Sequence, residues 1–160
     1  MNIEKYIPSP KKYVADQVDL YENSGGTKGI TMSGLPVIIV THIGIKTGAI
    51  RKTPLMTVLD GNKYVLVASQ GGAPKNPLWY YNLKNNPDIK IQDKQSIFYM
   101  KAREICNQEE RARLWDIAVK AYPPYEDYQN KTQRIIPLFI TEHKKNWMVK
   151  SKIDFLLDKF

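Results

Sequence analysis

Six short runs rich in apolar and β-branched residues follow one another along the chain, and tight-turn signals separate several of them. They cover residues 35–42, 52–59, 63–69, 88–92, 96–105 and 135–141. Such runs are typical of strands, Asp60-Gly61 is a hairpin signal, and Asp93-Lys94-Gln95 can form another turn. This order does not give the strand–helix alternation of a parallel sheet. We therefore expect an α+β fold, mainly antiparallel β, built as a small six-stranded barrel flanked by helices.

Helical patterns lie at both ends of these strands and between the last two. Apolar residues recur at helical spacing from Ser9-Pro10 to Gly25-Gly26, which predicts a helix over 9–24. Asn107 to Glu110 resembles a capping box that opens a helix ending near Ala121. A last amphipathic helix is expected over 153–160, within a C-terminal extension at 144–160. A chain of 160 residues predicts one domain, 1–160, with its barrel core at 35–141.

Targeting signals are missing from the sequence. No apolar run approaches the roughly 20 residues that a bilayer crossing needs, and the N-terminus has no signal-peptide pattern. We therefore expect a cytoplasmic protein. The basic C-terminal extension leaves a peripheral contact with an anionic membrane open, although packing on its own barrel or on a second subunit is favoured.

Positive charge is concentrated in one part of the chain. The net charge is +8, and between residues 23 and 87 seven Lys or Arg residues stand against one acid, Asp60, so this segment carries +6. Such a field attracts nucleic acid, an anionic membrane surface or a phosphorylated small molecule. Composition does not choose among the three.

The densest cationic pattern surrounds Gly44-Ile-Lys-Thr-Gly48, between two predicted strands. Glycines allow backbone N–H groups to approach a ligand, Thr47 adds a hydroxyl, and Lys46, Arg51 and Lys52 add charge. This loop could hold a phosphate or a carboxylate, but a solvated hairpin tip explains the same pattern equally well. Neither a Walker loop nor a G-x-G-x-x-G motif occurs.

A second candidate corner follows the 63–69 strand. Gly71-Gly72 and a proline-led short helix would leave free N–H groups beside Ser69, Gln70 and Lys75. Trp79, Tyr80 and Tyr81 could cover a ring system, although anchoring that helix to the barrel is the alternative role.

Three tyrosines three residues apart form the third candidate. If the segment is helical, Tyr122, Tyr125 and Tyr128 share one face and offer an apolar wall with hydroxyl tips. The wall suits a planar substrate, and core packing is the alternative.

Other chemistry is weakly indicated. His42 ends an apolar strand and is expected to be a packed histidine, and it shares no metal-ligand spacing with His143. Cys106 is the single cysteine, and we expect it to be buried and inert.

Read in order, "GIKTGAIRKTPL", "VASQGGAPKNPLWYYNLKNNPDIKIQ" and "YPPYEDYQNKTQRIIPLFI" resemble the deazaflavin-dependent nitroreductases, which use coenzyme F420. The resemblance covers about Leu35 to Thr141. It implies a split β-barrel like the FMN-binding fold, and hydride transfer from reduced deazaflavin to a nitro compound, a quinone or a similar planar acceptor.

The resemblance also implies roles for individual residues. The phosphate and the oligoglutamate tail of the cofactor would lie against Lys46, Thr47, Arg51, Thr53 and Pro54. Its ring and linker would lie against Ser69, Gln70, Gly71, Gly72, Lys75, Asn76, Pro77, Trp79 and Asn82. The catalytic candidates, which would hydrogen-bond or protonate the acceptor, are Ser69, Tyr122, Tyr125 and Tyr128.

Two departures and several alternatives remain. Ile45 and Gln70 stand where the family can have charged residues, so the preferred length of the cofactor tail is open. A non-catalytic F420 carrier, or an FMN or haem enzyme on the same barrel, is the alternative function. No nucleic-acid signature is present, so no nucleic-acid partner is expected, and a homodimer is left open.

Overall fold

The structure, a computed structural model, describes residues 5–144. Within this range the helices are α1 (Lys12–Asn23), α2 (Leu78–Asn85), α3 (Gln108–Ala121) and α4 (Pro124–Lys131). The cap predicted for α3 is present, since the Asn107 side chain accepts a hydrogen bond from the Glu110 backbone N–H at 2.9 Å. The helix expected over 153–160 lies outside the described residues. Between residues 5 and 144, no helix has the length and apolar character to cross a bilayer.

One antiparallel sheet contains all the strands found in residues 5–144. They are β1 (Thr31–Met32), β2 (Leu35–Ile43), β3 (Ile50–Met56), β4 (Leu59–Asp60), β5 (Lys63–Val67), β6 (Asp88–Asp93), β7 (Ser96–Glu104) and β8 (Leu138–His143). Their order is β1-β2-β6-β7-β8-β5-β4, and β3 pairs with β2. The sheet curls into a half-barrel.

All six predicted strands are present, but the predicted strand count is too low. β1 and β4 have two residues each, too few to show a period in sequence. The turn predictions are confirmed: Asp60 pairs with Lys63 around Gly61, whose φ is 62°. The β6–β7 hairpin likewise pairs Asp93 with Ser96.

Both faces of the sheet are covered, which explains why β2 is apolar almost throughout. Val37 and Ile39 pack in a cluster with buried residues of α1, α3 and α4. Ile38 and Val40, which alternate with them, pack in a second cluster with Trp79 and other residues of α2.

Among the described residues 5–144, β3 is paired on one side along its whole length and on the other only at its start. The Ile50 N–H donates to the Lys5 carbonyl at 2.8 Å, and the Ile50 carbonyl accepts from the Ile7 N–H at 3.0 Å. Alternate residues of an antiparallel strand face opposite neighbours, so the backbone of Lys52 and Pro54 faces the same side as that of Ile50. Proline suits such an edge because it has no N–H to leave unpaired.

Candidate active site

A cavity of about 450 Å³ opens between the free edge of β3 and the end of β5. It brings together residues from all three segments singled out in the sequence. The predicted site residues that line it are Arg51, Thr53, Pro54, Ser69, Gln70, Gly71, Pro77, Trp79, Tyr122, Tyr125 and Tyr128. The predicted residues outside its lining are Lys46, Thr47, Gly72, Lys75, Asn76 and Asn82. None of the described residues that line the cavity is an Asp or a Glu.

Two adjacent cations of β3 line the cavity but differ in their partners. The Lys52 ammonium bonds both carboxylate oxygens of Glu22 on α1, at 2.6 and 2.8 Å, and lies 4.7 Å from the centre of the Tyr6 ring. Lys52 is therefore already neutralised, contrary to what the cationic loop suggested. Arg51 makes no ion pair or side-chain hydrogen bond to any residue in the range 5–144. Its charge is available to an anion.

A buried histidine joins β2, β3 and α2 behind Thr53. His42 Nε2 lies 3.0 Å from Thr53 Oγ1, and His42 Nδ1 lies 3.1 Å from Asn82 Nδ2. Burial, reinforced by the nearby Arg51 charge, lowers the pKa of His42 to about 4. The prediction of a packed histidine is confirmed, and its ring is neutral at physiological pH.

The 44–49 loop lies outside the cavity lining, and Asn82 holds it in place. Asn82 Oδ1 accepts a hydrogen bond from the Ile45 backbone N–H at 2.9 Å. Thr47 Oγ1 accepts one from the Ala49 N–H at 3.1 Å, while the side chain of Lys46 is exposed. Asn82 thus contacts the loop and does not line the cavity.

The corner after β5 has left-handed backbone at three successive residues. Gln70, Gly71 and Gly72 have φ values of 44°, 64° and 82°. A Cβ on Gly72 would lie 2.6 Å from the Tyr128 carbonyl oxygen, whereas one on Gly71 would meet no atom within 4 Å. Gly72 therefore lets α4 pack closely on the corner, and Gly71 faces open space.

Arg134, which sequence reasoning missed, braces this corner from outside the cavity. Its guanidinium donates to the carbonyls of Ala68, Ser69 and Ala73, and to Asn76 Oδ1, at 2.7 to 3.1 Å. Asn76 is thereby occupied by Arg134, and Lys75 is exposed outside the cavity lining. The sequence signal that could have indicated this role is that Arg134 directly precedes a predicted apolar strand and has no acidic residue nearby.

The three tyrosines pack on one another at the wall of the cavity. Ring centres lie 4.9 Å apart for Tyr122–Tyr125, 6.1 Å for Tyr122–Tyr128 and 6.2 Å for Tyr125–Tyr128. The Tyr122 and Tyr128 hydroxyls are 3.0 Å apart. That hydrogen bond, together with partial burial, raises the pKa of Tyr122 to about 12, and burial raises the pKa of Tyr125. These phenols therefore stay protonated at neutral pH.

The start of α1 forms a wall that was not predicted. Lys11, Tyr13 and Val14 line the cavity together with Met32 and Leu78. Tyr13 and Leu78 are 68% and 70% exposed, so they stand at its mouth. The amphipathic pattern of α1 was visible in the sequence, but its position beside β3 was not.

Two further features of the described part of the chain concern metal-ligand clusters and the state of the single cysteine. No group of three His, Cys, Asp or Glu side chains that could hold a metal occurs within residues 5–144. Cys106 is exposed, so the expectation of a buried thiol is wrong. It lies in the short connection between β7 and the α3 cap, where Ile105 is buried but Cys106 is not.

Comparisons with known proteins agree with this geometry. A family model described as "F420H(2)-dependent quinone reductase" matches residues 13–143, which include all but the first residue of α1 and all the strands of the sheet. The F420H(2)-dependent quinone reductase Rv1261c of Mycobacterium tuberculosis is 36% identical over 124 residues, covering 76% of this chain and 83% of the relative.

Solved structures give the same picture. A structure described as "F420-H2 Dependent Reductase (FDR-A)" is 47% identical, with a TM-score of 0.63 over 67% of this chain and 94% of that one. Another, described as a domain-swapped dimer, is 44% identical, with a TM-score of 0.66 over 84% of this chain and 100% of that one. The haem storage protein HutZ from Vibrio cholerae, at 14% identity and a TM-score of 0.52, shows likeness of fold alone. The chain belongs to the F420H(2)-dependent quinone reductase family.

Proposed function

We propose that this protein is an F420H2-dependent oxidoreductase that reduces quinones and similar planar acceptors. The supporting observation is one cavity that joins Arg51, which has no ion pair within residues 5–144, and the Thr53 hydroxyl to a wall of three tyrosines. We further propose that the half-barrel is a split β-barrel of the FMN-binding type, forming a single domain.

The residues of the cavity fit the proposed cofactor. A volume of about 450 Å³ falls within the range of small-molecule sites, roughly 300–1,000 Å³. Arg51 supplies a cation for a phosphate, and the open space beside Gly71 admits the edge of a planar ring. Lys46 and Thr47, which lie outside the cavity, would meet the acidic tail. Ser69, Gln70, Pro77 and Trp79 would contact the ring and linker.

The protein's share of the reaction is to bind, orient and hydrogen-bond. When bound, reduced deazaflavin supplies the hydride. Of the paired Tyr122 and Tyr128 hydroxyls, one donates to the other, so one hydrogen remains free for the acceptor oxygen. Because the pKa of Tyr122 is raised, its phenol keeps its proton, so the main effect of this group is to stabilise negative charge that develops on that oxygen. Ser69, whose backbone Arg134 fixes, is a second donor.

The experiment is a titration of the purified protein with F420 and, in parallel, with FMN, followed by turnover with quinones and nitroaromatics. We expect F420 to bind, and F420H2 to be oxidised by a quinone faster than in the protein-free control. Binding of F420 without turnover would favour a carrier. Binding of FMN alone would overturn the proposal.

Two further properties concern assembly and location. We propose a homodimer, which the domain-swapped relative supports, and light scattering during gel filtration would test it. Peripheral membrane contact through 144–160 stays a prediction, to be tested by liposome flotation against a chain truncated after Lys144. That cut retains β8, which ends at His143.

A further inference from the structure

The orientation of the Asn82 amide follows from a backbone donor. The Ile45 N–H can only donate, and its acceptor at 2.9 Å is Asn82 Oδ1. The other end of the amide, Nδ2, therefore faces His42 Nδ1 at 3.1 Å. An amide nitrogen carries hydrogens and no available lone pair. His42 Nδ1 must accept this bond, so it carries no proton.

The same constraint fixes whether the other ring nitrogen, Nε2, carries a proton. His42 is 3% exposed, and no acidic residue within 5–144 contacts it, so a charged ring would be costly. A protonated ring would also direct a second hydrogen at the Asn82 amide. In the neutral ring the single proton is then on Nε2, which donates to Thr53 Oγ1 at 3.0 Å.

Thr53 connects this chain of bonds to the cavity. Within residues 5–144, its hydroxyl has no hydrogen-bond partner besides His42, and its side chain lines the cavity near Arg51. A hydroxyl that accepts from His42 keeps its own hydrogen for another acceptor. With the other tautomer, His42 Nε2 would take that hydrogen, and Thr53 would present lone pairs to a bound anion.

We infer that His42 is a positioning residue, which makes the Thr53 hydroxyl a hydrogen-bond donor to the anionic group of the cofactor bound beside Arg51. The inference rests on the proposed function for the identity of the ligand. It deepens that proposal, because one set of hydrogen bonds links the basic loop to the cavity. The set runs from Ile45 through Asn82 and His42 to Thr53.

The tautomer is tested without any ligand. Ring ¹⁵N NMR of the full chain should show His42 neutral, with its proton on Nε2, at pH 6 and above. A His143→Gln variant assigns the signals, since His143 is the other histidine and does not line the cavity. A proton on Nδ1, or a doubly protonated ring at pH 6, would overturn the inference even if F420 binds as proposed.

The effect on binding is tested by a double-mutant cycle with F420. Thr53→Val should weaken F420 binding by about tenfold, and Thr53→Ser should not. His42→Leu should also weaken binding, but it should have no further effect in the Thr53→Val background. His42→Gln, which can place an amide N–H near the former Nε2, should retain most of the affinity and is the second variant if His42→Leu fails to fold.

Additive losses from His42 and Thr53 would overturn the inference. If the wild type bound no F420, the proposed function would fail, while the tautomer would still be decided by NMR.

Discussion

Neighbouring residues of the same charge have different roles on β3. Lys52 is bonded to Glu22, and the two side chains are only 17% and 22% exposed. Arg51, one residue earlier, has no such partner within residues 5–144. A cation without an acidic partner keeps its attraction for an incoming phosphate, so the ligand-binding charge of this strand belongs to Arg51.

Arg51→Ala should therefore weaken F420 binding by about 1.5–3 kcal/mol, the range for a hydrogen bond to a charged group, with little change in the melting temperature. Fluorescence titration of the cofactor measures the loss. Lys101→Ala, which removes an equal charge from an exposed position on β7, is the control and should bind normally. Equal losses in the two variants would mean that only net charge matters.

Tyr128→Phe removes one member of the hydroxyl pair with Tyr122. We expect kcat/KM for a quinone to fall by roughly tenfold, because a hydrogen-bond donor to the acceptor is lost or misplaced, while F420 affinity is retained. Steady-state kinetics and a binding titration measure the two effects separately. Tyr81→Phe, the same change at an exposed residue of α2 outside the cavity lining, should leave both values unchanged. A parallel loss of cofactor affinity and turnover in Tyr128→Phe would show that the hydroxyl is structural.

Among the elements, the corner after β5 depends on support from a distant segment. Arg134 reaches it from a position 58 to 66 residues away in sequence, and α4 packs against it at Gly72. Because this corner carries Ser69, Gln70 and Gly71 into the cavity, its rigidity bears directly on the proposed ring contacts.

Arg134→Lys should destabilise the protein by about 2 kcal/mol or more, since one ammonium cannot replace a planar guanidinium that bonds four acceptors. Urea unfolding measures the difference. Arg113→Lys is the matched control, because the exposed pair of Arg113 with Asp60 is worth at most about 1 kcal/mol. A stability loss no larger than that of the control would contradict the bracing role.

Adjacent glycines of this corner provide a matched pair. Gly72→Ala places a Cβ 2.6 Å from the Tyr128 carbonyl oxygen, whereas Gly71→Ala enters open space. Both residues have positive φ, so an alanine at either position costs about 1–2 kcal/mol because of the left-handed backbone. Only Gly72→Ala adds a backbone clash, and it should lower the melting temperature further. Similar melting temperatures for the two variants would argue against close packing of α4.

At the scale of the whole molecule, several buried or half-buried phenols make the free energy of unfolding depend on pH in the alkaline range. The pKa values of Tyr80 and Tyr122 are raised to about 12, the first mainly by burial and the second mainly by its bond to Tyr128. Burial also raises the pKa of Tyr64 and Tyr125. Above about pH 10 the unfolded chain releases phenolic protons that the folded chain retains.

The free energy of unfolding should consequently fall as pH rises from about 10 to 12. Urea unfolding at several pH values measures the slope. Tyr80→Phe, which removes one of these groups, should make the slope shallower. A stability that does not change across this range would contradict the burial of the phenols.

The longer strands were predictable because they have local signatures: apolar β-branched runs for β2 and β5, and Asp60-Gly61 for the hairpin. The tyrosine wall was predictable in part, because a spacing of three residues puts Tyr125 and Tyr128 on one face of α4. Tyr122 caps the end of α3 in a non-helical conformation, so its place beside them follows from the turn between the two helices. Partners distant in sequence were not predictable. The Glu22–Lys52 ion pair, the reach of Arg134 and the exposure of Cys106 depend on which elements the fold brings together. No local pattern encodes that choice.

The position of α1 has a consequence for how this scaffold can diversify. One side of the entrance to the cavity is formed by Tyr13, Val14 and Met32. The first two precede every strand of the sheet, and Met32 ends β1. The groups assigned to grip the cofactor come from later in the chain. Exchanging residues 9–32 between relatives should therefore change which acceptors can enter the cavity, while the contacts proposed for the electron donor at Arg51 and Thr53 are kept.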